Sequence, residues 1–546
     1  VAGRFRTFAL HEGAFHLIRL IPFLIVLALA VGLLALGRLW SPWAYIPAWV
    51  LTTIVLVGVW DMIQKEHALR RNFPLVARVR WFFEWLRPFL RGYIVESETE
   101  GRPFNIEDRA LVYRRAKDVT SVEPFGAHID FDKPPYEWLN QSVLARKPVA
   151  EEFRVKVGGA DCKKPYSASV FNISAMSFGA LGSHAIEALN RGAKIGGFYH
   201  DTGEGGISRY HRAGGGDLVY EFGSGYFGCR TREGKFDPKR FADQAALDQV
   251  KMVEIKISQG AKPGSGGILP GEKVTAEIAE ARGVDIGVTC ESPPAHSAFS
   301  TPIGLMEFVA RLRELSGGKP VGFKLCIGQR HEFLAMVKAM LKTGIKPDFI
   351  VVDGSEGGTG AAPAEFLDHV GAPLREGLVL VRNALVGAGL KDEIRLACAG
   401  KQISAFALAS SMSLGADWVN TARGFMFALG CVQSLHCHDN TCPTGIATQD
   451  KGRQRGLVVS DKAVRVANFQ RNTVKALADL VGAAGCSHPS ELTPRHLMYR
   501  LNEHKSVTAD IAYQLLERGS LLDEPSSTRL AEDWARAQAE TFAPAP

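Results

Sequence analysis

The sequence predicts an α/β protein: a closed (β/α)8 TIM barrel preceded by an N-terminal transmembrane helical hairpin. Three observations lead there. Short β-rich runs alternate with helix-like stretches from about residue 165 onward. Glycines, lysines and small polar residues gather at the downstream ends of those runs, where this fold places its chemistry. Two uncharged apolar stretches lie near the start of the chain, each of bilayer-crossing length.

Composition narrows the class. The chain has 546 residues, 46% hydrophobic and 22% charged, which suits one large enzyme domain with attachments. The net charge of +7 is concentrated beside the apolar stretches, at Arg4, Arg6, Arg19, Arg70, Arg71, Arg78, Arg80, Arg87 and Arg91. That placement points to a membrane surface and not to nucleic acid. Nine cysteines, an odd number scattered except for one cluster, do not form the even framework of a small secreted protein. A reducing compartment is expected.

The apolar stretches are residues 20–37 and 44–60. Neither has a polar face, which separates them from buried core helices. Trp40, Trp43 and Tyr45 stand at the connection and Trp60 closes the second run, as interfacial aromatics do. A signal peptide would be one shorter run with a cleavage site. The link carries only Arg38 while both outer flanks are basic, so both termini and the catalytic body are expected in the cytoplasm, under a cell inner membrane. Residues 62–95, with Trp81, Phe82, Phe83, Trp85 and Leu86 among arginines, read either as an amphipathic juxtamembrane helix or as a helix packed on the main domain. The expected division is 1–61 transmembrane hairpin, 62–150 juxtamembrane and linker region, 151–460 barrel with a cysteine loop, and 461–546 helical extension and tail. The tail beyond Asp523 is expected to be loosely ordered.

Eight strands are assigned in order: residues 170–175, 197–202, 253–258, 285–289, 321–326, 349–352, 394–397 and 418–421. A doubly wound sheet is the alternative, but no strand leads into a G-x-G-x-x-G helix start. The segment 203–250 is long for one crossover and reads as carrying an insertion. The strand ends hold the unusual residues. Ser174, Ala175, Met176 and Ser177 follow the first, Gly203 and Glu204 the second, and Lys256 and Lys262 the third. Lys324 ends the fifth, Gly357 and Gly358 follow the sixth, Gly400 the seventh, and Ala422 and Arg423 the eighth. Glycine at the last strand ends exposes backbone N–H groups to a phosphate. An inward lysine such as Lys256 or Lys324 suits the edge of a reduced flavin where negative charge develops.

Cys431, Cys437 and Cys442, the last followed by Pro443, form the sharpest motif. Three thiols at this density resemble an iron–sulfur ligand set, and the lack of an obvious fourth favours three irons over four. Zinc with His436 or His438 is the competing reading, although paired C-x-x-C knuckles are missing.

Met176–Gly179, Gly203–Gly206, Gln259–Gly264, Gly357–Gly360 and the run 430–450 together closely resemble the FMN-binding synthase domain of glutamate synthase, over roughly residues 100–490. The resemblance implies FMN at the barrel mouth, a [3Fe–4S] cluster on Cys431, Cys437 and Cys442, and reduction of 2-iminoglutarate to L-glutamate. It carries Glu204, Lys262 and Arg282 over as residues that hold or line the site of 2-oxoglutarate. Lys256 and Lys324 are expected to stabilise the flavin, and Glu204 to manage a proton. Two departures stand out: Ile268 replaces a glutamine, and Ala399, Gly400 and Lys401 replace Asp-Gly-Gly. A glutaminase domain and a nucleotide fingerprint are not discernible in the sequence, so ammonia is expected free or from a partner, and electrons from ferredoxin or a flavoprotein. A homo-oligomer is compatible with the chain. Two rival readings keep the cofactors: another small substrate, or a membrane electron-transfer protein with no substrate of its own.

Overall fold

The computed structural model describes residues 18–546 apart from residue 121, so Arg4 and Arg6 of the basic flank lie outside the described residues. The chain divides into two compact units, Val1–Glu107 and Asp108–Pro546.

In the first unit, helices α1 (Ile21–Leu39) and α2 (Tyr45–Ile63) follow each other through a tight turn at Pro42–Ala44 and pack together. Pro22 sits in the first turn of α1, where a missing N–H leaves no helix bond unmade. Close packing depends on Gly58, because a Cβ there would lie 2.6 Å from the Phe23 ring. Both helices are long and apolar enough to cross a membrane, and most of their surface is exposed. At the end of α2 the fully buried Asp61 accepts a forked pair of hydrogen bonds from Arg78, at 2.7 to 3.1 Å, and another from the Leu75 N–H at 3.1 Å. Arg78 belongs to α3 (Ala77–Leu90), which exposes Val79, Phe82, Phe83, Trp85 and Phe89.

The second unit is built on eight parallel strands in a closed barrel. They are β1 (Phe171–Ile173), β2 (His200–Asp201), β3 (Leu218–Phe222), β4 (Val250–Lys256), β5 (Val321–Leu325), β6 (Phe349–Asp353), β7 (Arg395–Ala399) and β8 (Trp418–Thr421). Each pairs with its neighbour in sequence, and β8 pairs with β1. Burial on both faces explains their near-continuous apolar character.

Two strand assignments are corrected. The expected insertion in 203–250 contains a barrel strand, β3; its glutamate, Glu221, disguises it, yet the carboxylate is buried against a lysine inside the barrel. Residues 285–289 are not a barrel strand. Ile286 and Val288 are exposed, and next to them Cys290–Glu291 pairs antiparallel with Ile268–Leu269 in a two-residue ribbon. Lys256 therefore ends the fourth strand, and 257–301 is an excursion between β4 and the helix Pro302–Leu315.

The amino ends of the strands are plugged. A hairpin of Arg154–Val157 and Tyr166–Ser169 packs Val157 and Ala168 against Tyr199, Phe349, Val351 and Trp418. The buried polar atoms there are satisfied: Trp418 Nε1 donates to Tyr199 Oη at 2.8 Å, and that hydroxyl donates to Asn420 Oδ1 at 2.6 Å. Only the carboxyl ends remain for a ligand. The tail is ordered, contrary to expectation, because it has something to bury. Leu530 and Ala537 are covered, and Lys338 of the helix Arg330–Thr343 donates to the Ala537 carbonyl at 2.8 Å while lying over the Trp534 ring.

Candidate active site

The loops at the carboxyl ends converge through glycines. A Cβ on Gly203 would fall 2.6 Å from the Ser177 nitrogen, joining the β1 and β2 loops. One on Gly260 would meet the Gly354 carbonyl at 1.9 Å, joining the β4 and β6 loops. Only glycine allows these approaches.

Glu204 lies between two such glycines, since a Cβ on Gly223 or Gly267 would meet its carboxylate at 2.7 and 2.3 Å. Its Oε1 accepts an ion-pair contact from Lys256 Nζ at 2.8 Å. Burial opposes ionisation, but Lys256, then Arg282 and Lys262, outweigh it and hold the carboxyl down at about 2. Glu204 is thus held in its ionised form by the cations around it. Lys262 is 5% exposed, and its amine has no hydrogen-bond or ion-pair partner among the described residues; burial, then Lys256, pulls its pKa down. Arg282 is buried over the Phe227 ring, with Nη2 donating to Ser177 Oγ at 3.3 Å and to the Phe178 carbonyl at 3.2 Å. It braces the β1 loop and adds charge beside Glu204. Ile268 is half exposed, next to Gly267.

Ser174, Ala175, Met176 and Ser177 follow β1, as expected, and the Ser174 N–H is bonded to the Thr421 carbonyl at the end of β8. Arg423 donates to the Glu356 carbonyl at 2.6 Å and runs across Gly358, where a Cβ would meet its Cδ at 2.7 Å. Burial lowers Arg423 to about 10 against the pull of Asp353 and Glu356. Gly357, Gly358, Gly400 and Ala422 follow strands six to eight, with the Arg423 side chain against Gly358 and Asp353 and Glu356 near it.

Lys324 is placed differently from Lys256, although the two are register partners on adjacent strands. It is buried, with Nζ ion-paired to Glu221, and Glu254 Oε1 lies 3.4 Å away without hydrogen-bond alignment. Asp201, Glu221 and Glu254 bring carboxylate oxygens within 4.8 Å of one another. Burial, then Glu221, raises Asp201 to about 8, and burial, then Asp201, raises Glu254. Three carboxyls around one ammonium cannot all ionise, so this interior group retains protons. Sequence reading missed the cluster, because its members lie on separate strands.

The cysteine loop follows β8 and the helix Arg423–Leu429. Burial raises Cys431 to about 12, with Cys437 and Cys442 adding to it, and Cys437 is raised by burial and then by Cys442. Cys442 is lowered. Burial opposes this, but the Thr444 hydroxyl and the N–H groups of Ala447, Thr444 and Ile446 point at its sulfur and prevail. The three sulfurs are not all within 4.8 Å of one another, as only Asp201, Glu221 and Glu254 are among the described residues. Of the two histidines in the zinc alternative, His436 places Nδ1 against Asp439 Oδ2 at 2.6 Å. Gln449 ties the loop to the β1 end by donating to the Gly179 and Leu181 carbonyls at 2.9 and 3.1 Å.

A sequence profile described as the conserved region in glutamate synthase matches residues 143–487. The chain belongs to the glutamate synthase family. It is an oxidoreductase of glutamate synthase type. The glutamate synthase large subunit-like protein YerD of Bacillus subtilis (strain 168) is 34% identical over 525 residues, covering 89% of this chain and 97% of that relative. An archaeal-type glutamate synthase [NADPH] of Thermotoga neapolitana is 34% identical over 429 residues, covering 76% of this chain and 80% of the relative. The family match spans the whole barrel and the cysteine loop, so the glutamate synthase relationship rests on the part of the chain that carries the site.

Proposed function

We propose that the protein is a membrane-anchored, FMN- and [3Fe–4S]-dependent synthase that reduces 2-iminoglutarate to L-glutamate. One observation carries the substrate class: the unpartnered amine of the buried Lys262 beside the Lys256–Glu204 pair and Arg282. Three cations against one carboxylate leave a surplus of two positive charges, which a dicarboxylate neutralises.

The residues fit both groups. FMN would lie across the strand ends, its phosphate at Gly357, Gly358, Gly400, Ala422 and Arg423, its ring near Ser174, Ala175, Met176, Ser177 and Lys256. Cys431, Cys437 and Cys442 would hold the cluster. When bound, FMN supplies hydride chemistry and the cluster supplies single electrons. Lys262 binds one substrate carboxylate, and Arg282 adds charge from beneath. Glu204 holds the Lys256 ammonium at the ring edge, orienting it for developing negative charge. Lys324 acts from below through the carboxylates it balances. Hydride addition to the imine carbon and a proton to nitrogen give the amine, with water leaving earlier when ammonia condenses with 2-oxoglutarate. The apolar helices α1 and α2 support anchoring in an inner membrane with the barrel in the cytoplasm. Electrons would come from ferredoxin or a partner flavoprotein.

The test is glutamate formation from 2-oxoglutarate and ammonium, with dithionite or reduced ferredoxin as donor. Glutamate formed in proportion to the bound flavin supports the reading. A flavin- and iron-loaded protein that forms none would favour the other small substrate that Ile268 suggests, and a protein without flavin would end the proposal.

A further inference from the structure

Lys273 is 2% exposed and closes the turn Gly271–Lys273 within the excursion that carries Lys262, Ile268 and Arg282. Its amine does not remain with that excursion. It crosses to the cysteine loop and donates to the Cys437 carbonyl at 2.6 Å and to the Ala447 carbonyl at 3.2 Å. These acceptors flank Cys442, and the Ala447 N–H points at that sulfur. The ammonium therefore lies against the backbone of the cysteine loop on both sides of Cys442, 164 residues away in sequence from Cys437. Two backbone carbonyls could be bridged by a neutral donor, and an ammonium is costly to bury unless negative charge lies near it. Burial opposes the charge, and the groups that favour it are Cys437, Asp439 and Cys442.

We propose that Lys273 is a positioning residue that sets the reduction potential of the cluster, by holding a fixed positive charge against the cysteine loop from the substrate-side excursion. The proposal rests on the cluster reading above. One-electron reduction adds one negative charge to the cluster and consumes no group of the protein. A nearby cation favours the reduced state, so the charge raises the potential; net charge and hydrogen bonding around the sulfurs are the levers by which proteins tune such centres. The arrangement also joins the excursion holding substrate to the loop delivering electrons, so that both are positioned by one side chain.

The test is an electron-paramagnetic-resonance redox titration of the full chain, comparing wild type with Lys273→Gln and Lys273→Arg. Glutamine keeps donors for the carbonyls but removes the charge; arginine keeps the charge. Lys273→Gln is expected to make the cluster harder to reduce by roughly tenfold in the one-electron equilibrium, a downward shift of about 59 mV, while Lys273→Arg stays near wild type. A cluster whose potential is the same in Lys273→Gln as in wild type overturns the proposal and leaves the cluster reading standing. Loss of the cluster from both variants would make Lys273 a scaffold and also overturn it. Wild-type protein without iron would overturn the cluster reading itself, and the proposal with it.

Discussion

Replacing Lys262 by Met gives opposite signs in two measurements, and both signs follow from the structure. Lys262 is a buried residue, burial and then Lys256 lower its pKa, and no described group pairs with its amine. In the substrate complex it would make a charge-assisted contact to a carboxylate. Losing such a contact costs about 1.5–3 kcal/mol, which at about 1.4 kcal/mol per tenfold is roughly 10- to 150-fold in 2-oxoglutarate affinity. Without ligand the sign reverses. A lysine whose folded pKa lies below its unfolded 10.5 is protonated at a cost in the folded state, and stability rises as pH climbs through the window between the two values. Methionine removes that cost, fills the same space, and should unfold at the same or a higher temperature near neutral pH, without the rise. The assay is a flavin-absorbance titration with 2-oxoglutarate alongside thermal unfolding of ligand-free protein. Unchanged affinity, or a clear loss of ligand-free stability, would refute the assignment of Lys262 as a carboxylate anchor.

Cys437→Ser should abolish iron binding and the paramagnetic signal while flavin stays bound, because the loop lies beyond the strand ends; copurified zinc in place of iron would contradict this. Lys324→Met leaves Glu221 and Glu254 buried around an empty centre and should cost about 3–5 kcal/mol, with partial recovery in the Lys324→Met, Glu221→Gln double variant, read by denaturant unfolding. Asp201, raised to about 8 from 3.8, takes up a proton on folding, so its contribution to stability is full below pH 3.8 and is lost as pH rises towards 8; Asp201→Asn should flatten that part of the unfolding-versus-pH profile. Removing residues 1–61 should yield a barrel that needs no detergent and keeps its flavin, since the second compact unit begins at Asp108; Arg78, 39% exposed, can turn to water once Asp61 is gone.

Much of the barrel was legible because strands buried on both faces are runs of Val, Ile, Phe and Ala, and because ligand-facing residues must lie at one end of them. Seven of the eight strands were found on that basis. β3 was not: Glu221 interrupts LVYEF, and a carboxylate inside a strand looks wrong until Lys324 is seen across the barrel. Residues 285–289 look like a strand by composition, yet they are exposed on an excursion.

By itself, the sequence determined the chemistry available: three clustered thiols, glycine-rich strand ends, a lysine at the end of each of two strands, and two apolar spans. Those are local properties, written in consecutive residues. Only the tertiary structure decided which charges meet. It paired Lys256 with Glu204 but Lys324 with Glu221, left the Lys262 amine without a described partner, turned Arg282 onto Ser177 and Phe178, and brought Lys273 beneath Cys437. Electrostatic energy depends on separation in space and on burial, and barrel closure makes neighbours of residues a hundred or more positions apart.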